Sequence, residues 1–172
     1  DAGLDEDAAK LRGTRVHLLL EHLPKVTQNH WPELCARLLP DMRQEDQSAL
    51  LTEVTGVLTS ESLRHIFTPD TLAEIPVTAD LNGQRMYGIV DRLIVTDTEV
   101  HVIDFKSNAI VPNRVEDCPE GLLRQMGAYA QALSQIYPNH KIRTAILWTR
   151  TANLMWLPHD LVTDAVACTQ IS

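Results

Sequence analysis

The sequence predicts an α/β fold: a mixed central sheet flanked by helices, with a helical cover at its N-terminus. Three observations predict it. The first 66 residues carry apolar positions at helical spacing. Three strand-like runs follow, at about 72–80, 84–96 and 99–106, with only short polar turns between them. A helical stretch from about 119 to 136 then separates these runs from two more, Ile142–Thr149 and Leu154–Leu157. A meander, a helix and further strands ask for one sheet with helices packed on it.

Asp7–Leu23 reads as a helix. Val16, Leu19, Leu20 and Leu23 fall at i, i+3, i+4 and i+7 and form its core stripe, and Pro24 stops it. Gly13, His17 and Glu21 follow one another a turn apart along the neighbouring stripe. A lone histidine bordering a buried face is more often structural, so His17 is a metal-ligand candidate only because of the carboxylates further on. Residues 31–66 read as two or three short helices. Pro32 suits a first turn, the stretch Ser48–Leu58 is helical in pattern, and Ser60 offers a cap for a last short turn.

Leu72–Thr78 is the first expected strand, carrying Glu74. For Glu74, an exposed strand residue and a site residue are even alternatives. Asn82-Gly83 is a strong hairpin turn leading into the next run. There Tyr87, Ile89, Asp91, Leu93 and Val95 share a face by period-two alternation. In the third run Val100, Val102, Asp104 and Lys106 share one face, while His101, Ile103 and Phe105 share the other. The segment between these runs, Thr96–Glu99, is short and polar, so an antiparallel hairpin can bring Asp91 and Asp104 together. A polar loop, 107–117, leads to the long helix, which Pro138 ends. Its apolar face is Leu122, Met126, Tyr129, Ala130 and Leu133, and Gln125 and Tyr129 lie one turn apart. From Leu161 the chain is helical again in pattern.

At 172 residues and 44% hydrophobic, the whole chain, 1–172, is expected to form a single globular domain with a real core. Its net charge of −8 argues against holding nucleic acid on a broad basic surface. The basic residues nearest the paired carboxylates are few: Lys106, Arg114, Arg124 and Arg92. Cys35, Cys118 and Cys168 are widely spaced and form no C-x-x-C pair, so reduced thiols in a cytoplasmic protein are expected. No run approaches a membrane span in length, and no signal peptide is visible. The chain opens without Met, and a piece of a longer polypeptide is the expectation.

Two carboxylates and an ammonium gathered on a sheet are costly unless something binds them. A divalent metal would serve. Hydrolysis of a phosphodiester needs an activated water and neutralised phosphoryl oxygens, and magnesium on carboxylates supplies both. Lysine is a compact donor that can hold the water and offset anionic charge. A histidine ligand would suit manganese as well. The simpler alternatives are a surface ion pair for Asp104 and Lys106, and ordinary helix packing for Gln125 and Tyr129.

Glu74, Asp91, Asp104-x-Lys106 and Gln125-x-x-x-Tyr129, in this order on these elements, resemble the PD-(D/E)XK nuclease superfamily. The helical His17 ahead of the sheet and the Gln-Tyr helix after it resemble the RecB-type branch. The stretches Ile103-Asp104-Phe105-Lys106-Ser107-Asn108, Gln125–Tyr129 and Leu147-Trp148-Thr149 look most like the C-terminal nuclease domain of AddA-type helicase–nucleases. The resemblance runs from about Leu11 to Leu157. It implies a restriction-endonuclease-like core and a Mg2+-dependent exonuclease, with Mn2+ as an alternative ion. His17, Asp91, Asp104 and the Phe105 carbonyl would hold the metal. Lys106 would orient or help deprotonate the attacking water, and Gln125 and Tyr129 would brace the site and meet DNA. The implied partners are DNA strands and ends, a helicase part of the same polypeptide, and an AddB-like partner protein, in double-strand break repair by homologous recombination. Ser107 stands where related sequences often have Thr, which keeps the hydroxyl. No G-x-x-x-x-G-K-S/T pattern occurs, so ATPase activity belongs to other parts of such a protein. A non-catalytic DNA-binding or scaffold domain of the same descent is the alternative, and it would be marked by a lost Asp or Lys. An iron–sulfur relative would need four cysteines.

Overall fold

A computed structural model describes residues 2–81 and 83–169, including the side chains of all but Ala2, Cys168 and Thr169. The elements run α1 (Ala2–His22), α2 (Trp31–Leu38), α3 (Gln44–Leu58), β1 (Leu72–Leu81), β2 (Gln84–Val95), β3 (Glu99–Lys106), α4 (Glu120–Ile136), β4 (Lys141–Trp148), β5 (Asn153–Leu157) and α5 (His159–Thr169). The five strands form one mixed sheet in the order β1-β2-β3-β4-β5. β1–β2 and β2–β3 are antiparallel. β3 and β4 run parallel: the Lys141 amide donates to the Thr98 carbonyl at one end, and the Thr149 amide to the Lys106 carbonyl at the other, 2.9 Å each. A parallel pair needs a long crossover, and α4 supplies it. The α/β expectation therefore holds. The hairpin turn expected at Asn82-Gly83 falls partly outside the described residues; Gly83 itself has φ +79°.

Contacts divide the chain into two compact units. One gathers the helices up to residue 69 together with 105–109 and 148–153, and the other gathers the remaining described residues. In the first, Val16, Leu19, Leu20 and Leu23 are fully buried, as their spacing predicts. Leu50, Val54 and Val57 supply the stripe by which α3 packs against α1 and α2. The Trp31 indole donates to the carbonyls of Leu23 and Val26 (2.8 and 3.1 Å), which closes the chain reversal after Pro24. In the second unit α4 packs on β1, β2 and α5, burying Leu122, Met126, Tyr129, Ala130 and Leu133. A cavity of about 500 Å³ between α4, α5 and the start of β4 contains none of the candidate site residues. Among the described residues no helix is long and apolar enough to cross a membrane.

Candidate functional site

The paired carboxylates stand on the hairpin of β2 and β3. Leu93 faces Val102 and Arg92 faces Ile103, so one more step along the same register sets Asp91 against Asp104. Only 6% of Asp91 and 4% of Asp104 is exposed. Side chains of this kind are rarely buried unless they are paired or hold a cation. On the other side of β2 the register passes from Ala73↔Arg92 to Ile75↔Val90 with no inserted residue, so Glu74 lies opposite Asp91. Glu74 has φ +53°, a left-handed conformation in the middle of a strand. Such a residue stores about 1–3 kcal/mol and persists only where its surroundings hold it. Carboxylate oxygens of Glu74 and Asp91 lie within 4.8 Å of each other. Three adjacent strands thus present carboxylates at one level of the sheet. Glu74 is half-buried and lies beside Asp91.

α4 holds β2 from the opposite face. Gln125 Nε2 donates to the Tyr129 hydroxyl (3.2 Å), which donates to the Ile89 carbonyl (3.0 Å), two residues before Asp91. The Tyr129 ring is buried against Gly88. A Cβ at position 88 would stand 2.7 Å from the ring's Cε1, so a larger residue there must displace the ring. Gln125 and Tyr129 thus tie α4 to the β2 backbone.

Within the first unit His17 and Phe105 meet. His17 Nε2 is 2.9 Å from the Phe105 carbonyl oxygen, and the two rings meet edge to face at 5.8 Å. With Nε2 protonated, the ring donates to that carbonyl. The tautomer with a bare Nε2 would instead leave two lone-pair donors 2.9 Å apart. Neighbouring ligands of an octahedral magnesium ion, at about 2.1 Å from the metal, lie about 3 Å apart. The pair fits that spacing.

Lys106 ends β3, and a network fixes its backbone. The Thr149 amide donates to the Lys106 carbonyl (2.9 Å), and the Thr149 hydroxyl is shared between Glu53 (2.9 Å) and that carbonyl (3.3 Å). Arg12 donates to Glu53 at 2.7 Å and to the Ser107 carbonyl at 3.4 Å, and Arg150 donates to the same carbonyl at 3.1 Å. Sequence reasoning missed Arg12, Glu53, Thr149 and Arg150 as supports and read residues 31–66 only as cover. The one available signal was an acid at position 53, between Leu50 and Val57 on the buried stripe of α3. Arg92 is a correction. Counted among the basic residues near the site, it is 5% exposed and donates to the Thr71 hydroxyl at 3.3 Å, so it is no surface cation. Arg114 and Arg124 are accessible, each beside a glutamate: Glu116 at 3.4 Å and Glu120 at 3.5 Å. Cys35 and Cys118 are buried free thiols. Burial pushes both thiol pKa values up, helped at Cys118 by Asp117 and Glu116.

Comparison with known proteins bears on family and fold. The chain is 24% identical over 153 residues to one subunit of the ATP-dependent helicase/nuclease of Oenococcus oeni, covering 79% of this chain and 13% of that protein. A crystal structure from Eubacterium rectale, provisionally named an exonuclease, shares the fold with a TM-score of 0.62 at 12% identity; the match covers 95% of this chain and 64% of that one. The family model of the PD-(D/E)XK nuclease superfamily matches residues 1–157, and the chain belongs to that superfamily.

Proposed function

We propose that this domain is a metal-dependent deoxyribonuclease of exonuclease type. It serves as the nuclease part of an ATP-dependent helicase–nuclease that processes double-strand breaks for homologous recombination. The observation that carries the reading is the level of buried carboxylates on adjacent strands, with Lys106 two residues beyond Asp104 on β3. Asp91, Asp104, His17 Nε2 and the Phe105 carbonyl are the proposed ligands, with Glu74 beside Asp91. Magnesium is the proposed ion, and manganese would also suit the imidazole. When bound, the ion neutralises phosphoryl oxygens and lowers the pKa of a bound water.

The chain's own residues do the rest. Asp104 and Phe105 are consecutive in β3, so a strand held in register holds two ligands together. Lys106, with its backbone fixed through Thr149, orients the attacking water and offsets charge as the phosphoryl group is attacked. The Gln125–Tyr129–Ile89 relay braces Asp91 at its level from the opposite face of β2. The relative's name joins helicase and nuclease, and this chain spans 13% of it. The proposed helicase part and an AddB-like partner would deliver DNA, in the cytoplasm, to a domain whose charge of −8 gives it little pull on a polyanion.

The test is cleavage of labelled linear single- and double-stranded DNA with magnesium, manganese, calcium or EDTA. Cleavage with magnesium or manganese and none with EDTA is expected. Folded protein inactive on both DNAs with either metal would sink the enzyme reading and favour a scaffold.

A further inference from the structure

One face of the β1–β2 arm is unusual. The closeness of Gly88 to Tyr129 shows which face of β2 meets α4, so Tyr87, Ile89 and Asp91 point the other way. On that outer face the antiparallel register stacks facing pairs: Asp80 with Arg85, Thr78 with Tyr87, Pro76 with Ile89, then Glu74 opposite Asp91. Tyr87 is 68% exposed and Ile89 44% exposed, and Pro76 and Arg85 are exposed as well. An aromatic ring and two apolar side chains therefore lie open to solvent in a row that ends at the carboxylates. Exposed apolar rows of this kind mark binding surfaces.

We infer that this row is a stacking track for the single DNA strand being cut, with Tyr87 as its principal base-contacting residue. The inference rests on the nuclease reading above and adds where the strand lies. Alternate residues of a strand are about 6.8 Å apart, twice the 3.4 Å rise between bases in a stacked helix. That interval suits a strand drawn out of its stack, each base seated on a separate side chain. Stacking on an aromatic face is tolerant of sequence, as a processing enzyme requires. Arg85 offers a cation at the far end of the row, where the backbone would enter. A protein docked on the same face would cover Glu74 and Asp91, and that argues for nucleic acid as the occupant.

Tyr87→Ala, Tyr87→Phe and Tyr87→Trp test this, since so exposed a side chain can change without unfolding the domain. With single-stranded DNA and magnesium, Tyr87→Ala should raise KM roughly tenfold with kcat changed less than about threefold. Phe and Trp should restore KM, and cleavage of a small chromogenic phosphodiester that has no base should be unchanged. Equal KM for the wild type and Tyr87→Ala would overturn the track and leave the nuclease reading intact. If the wild type cuts nothing, the nuclease reading fails separately, and fluorescence anisotropy in calcium decides the track. There the wild type should bind a normal oligonucleotide more tightly than an abasic one, with Tyr87→Ala binding both equally. Equal binding of the two oligonucleotides by the wild type would overturn the inference. So would a Tyr87→Ala variant that loses a protein partner while keeping its DNA affinity.

Discussion

The two halves of β2 invert the usual rule for a strand. In the half from Val90 to Leu93, a carboxylate and a guanidinium are buried, with Asp91 at 6% and Arg92 at 5% exposure. In the half from Gln84 to Ile89, the solvent-facing side carries Tyr87 and Ile89. Burying charge and exposing apolar surface are both unfavourable for folding, so each half needs a reason outside stability. Breaks with local folding rules gather at functional sites. For Asp91 the reason is the proposed ion, while Arg92, on the other face, donates to the Thr71 hydroxyl. For the exposed half the reason is the proposed DNA strand. Gly88 lies at the junction, where the Tyr129 ring pins the backbone.

The largest effect should come from the buried half. Asp104→Ala should reduce metal-dependent cleavage by more than about 100-fold, since even the groups behind a metal ligand are worth about 10–100-fold. Removing one carboxylate from a crowded anionic level should leave the melting temperature in metal-free buffer unchanged or higher. Undiminished cleavage by a folded variant would remove Asp104 from the site.

The junction comes next. Gly88→Ala drives a methyl into the Tyr129 ring and should cost about 1–3 kcal/mol. At this chain length that is a fall in melting temperature of about 2–12 °C. Tyr129→Phe removes only the hydroxyl that reaches Ile89 and should cost about 1 kcal/mol. Thermal melts beside cleavage rates would separate the two contributions. If Gly88→Ala melts like the wild type, β2 is not pinned there and the contrast between its halves loses its anchor.

The smallest effect is at the open end of β3, away from Asp104. His101 Nε2 lies 2.7 Å from Glu99, and that hydrogen bond, with attraction to His101, Arg143 and Lys141, holds the Glu99 carboxyl below its ordinary pKa. A depressed carboxyl favours the folded state above its unfolded pKa, and the contribution fades as pH falls through the lower folded value. NMR titration of Glu99 should show the lowered midpoint, and His101→Ala should return it towards the ordinary range. A midpoint that does not move would assign the shift to the cations alone.

The hairpin that pairs Asp91 with Asp104 was legible in the linear sequence. The short polar turn Thr96–Glu99 limits the hairpin to the register Arg92↔Ile103, and a slip of one residue would turn every side chain over. The α1 stripe and the apolar face of α4 were legible because periodicity encodes which face is buried. The left-handed φ of Glu74 was not legible, because it depends on what faces it across the sheet and on no neighbour in sequence. Nor was the support around Lys106, where Glu53 joins Arg12, 41 residues before it, to Thr149, 96 residues after it. The burial of Arg92 and the exposure of Tyr87 share that origin. Alternation assigns each to a face of β2, but how much of a face is covered depends on where distant segments pack, and local pattern carries no information about that.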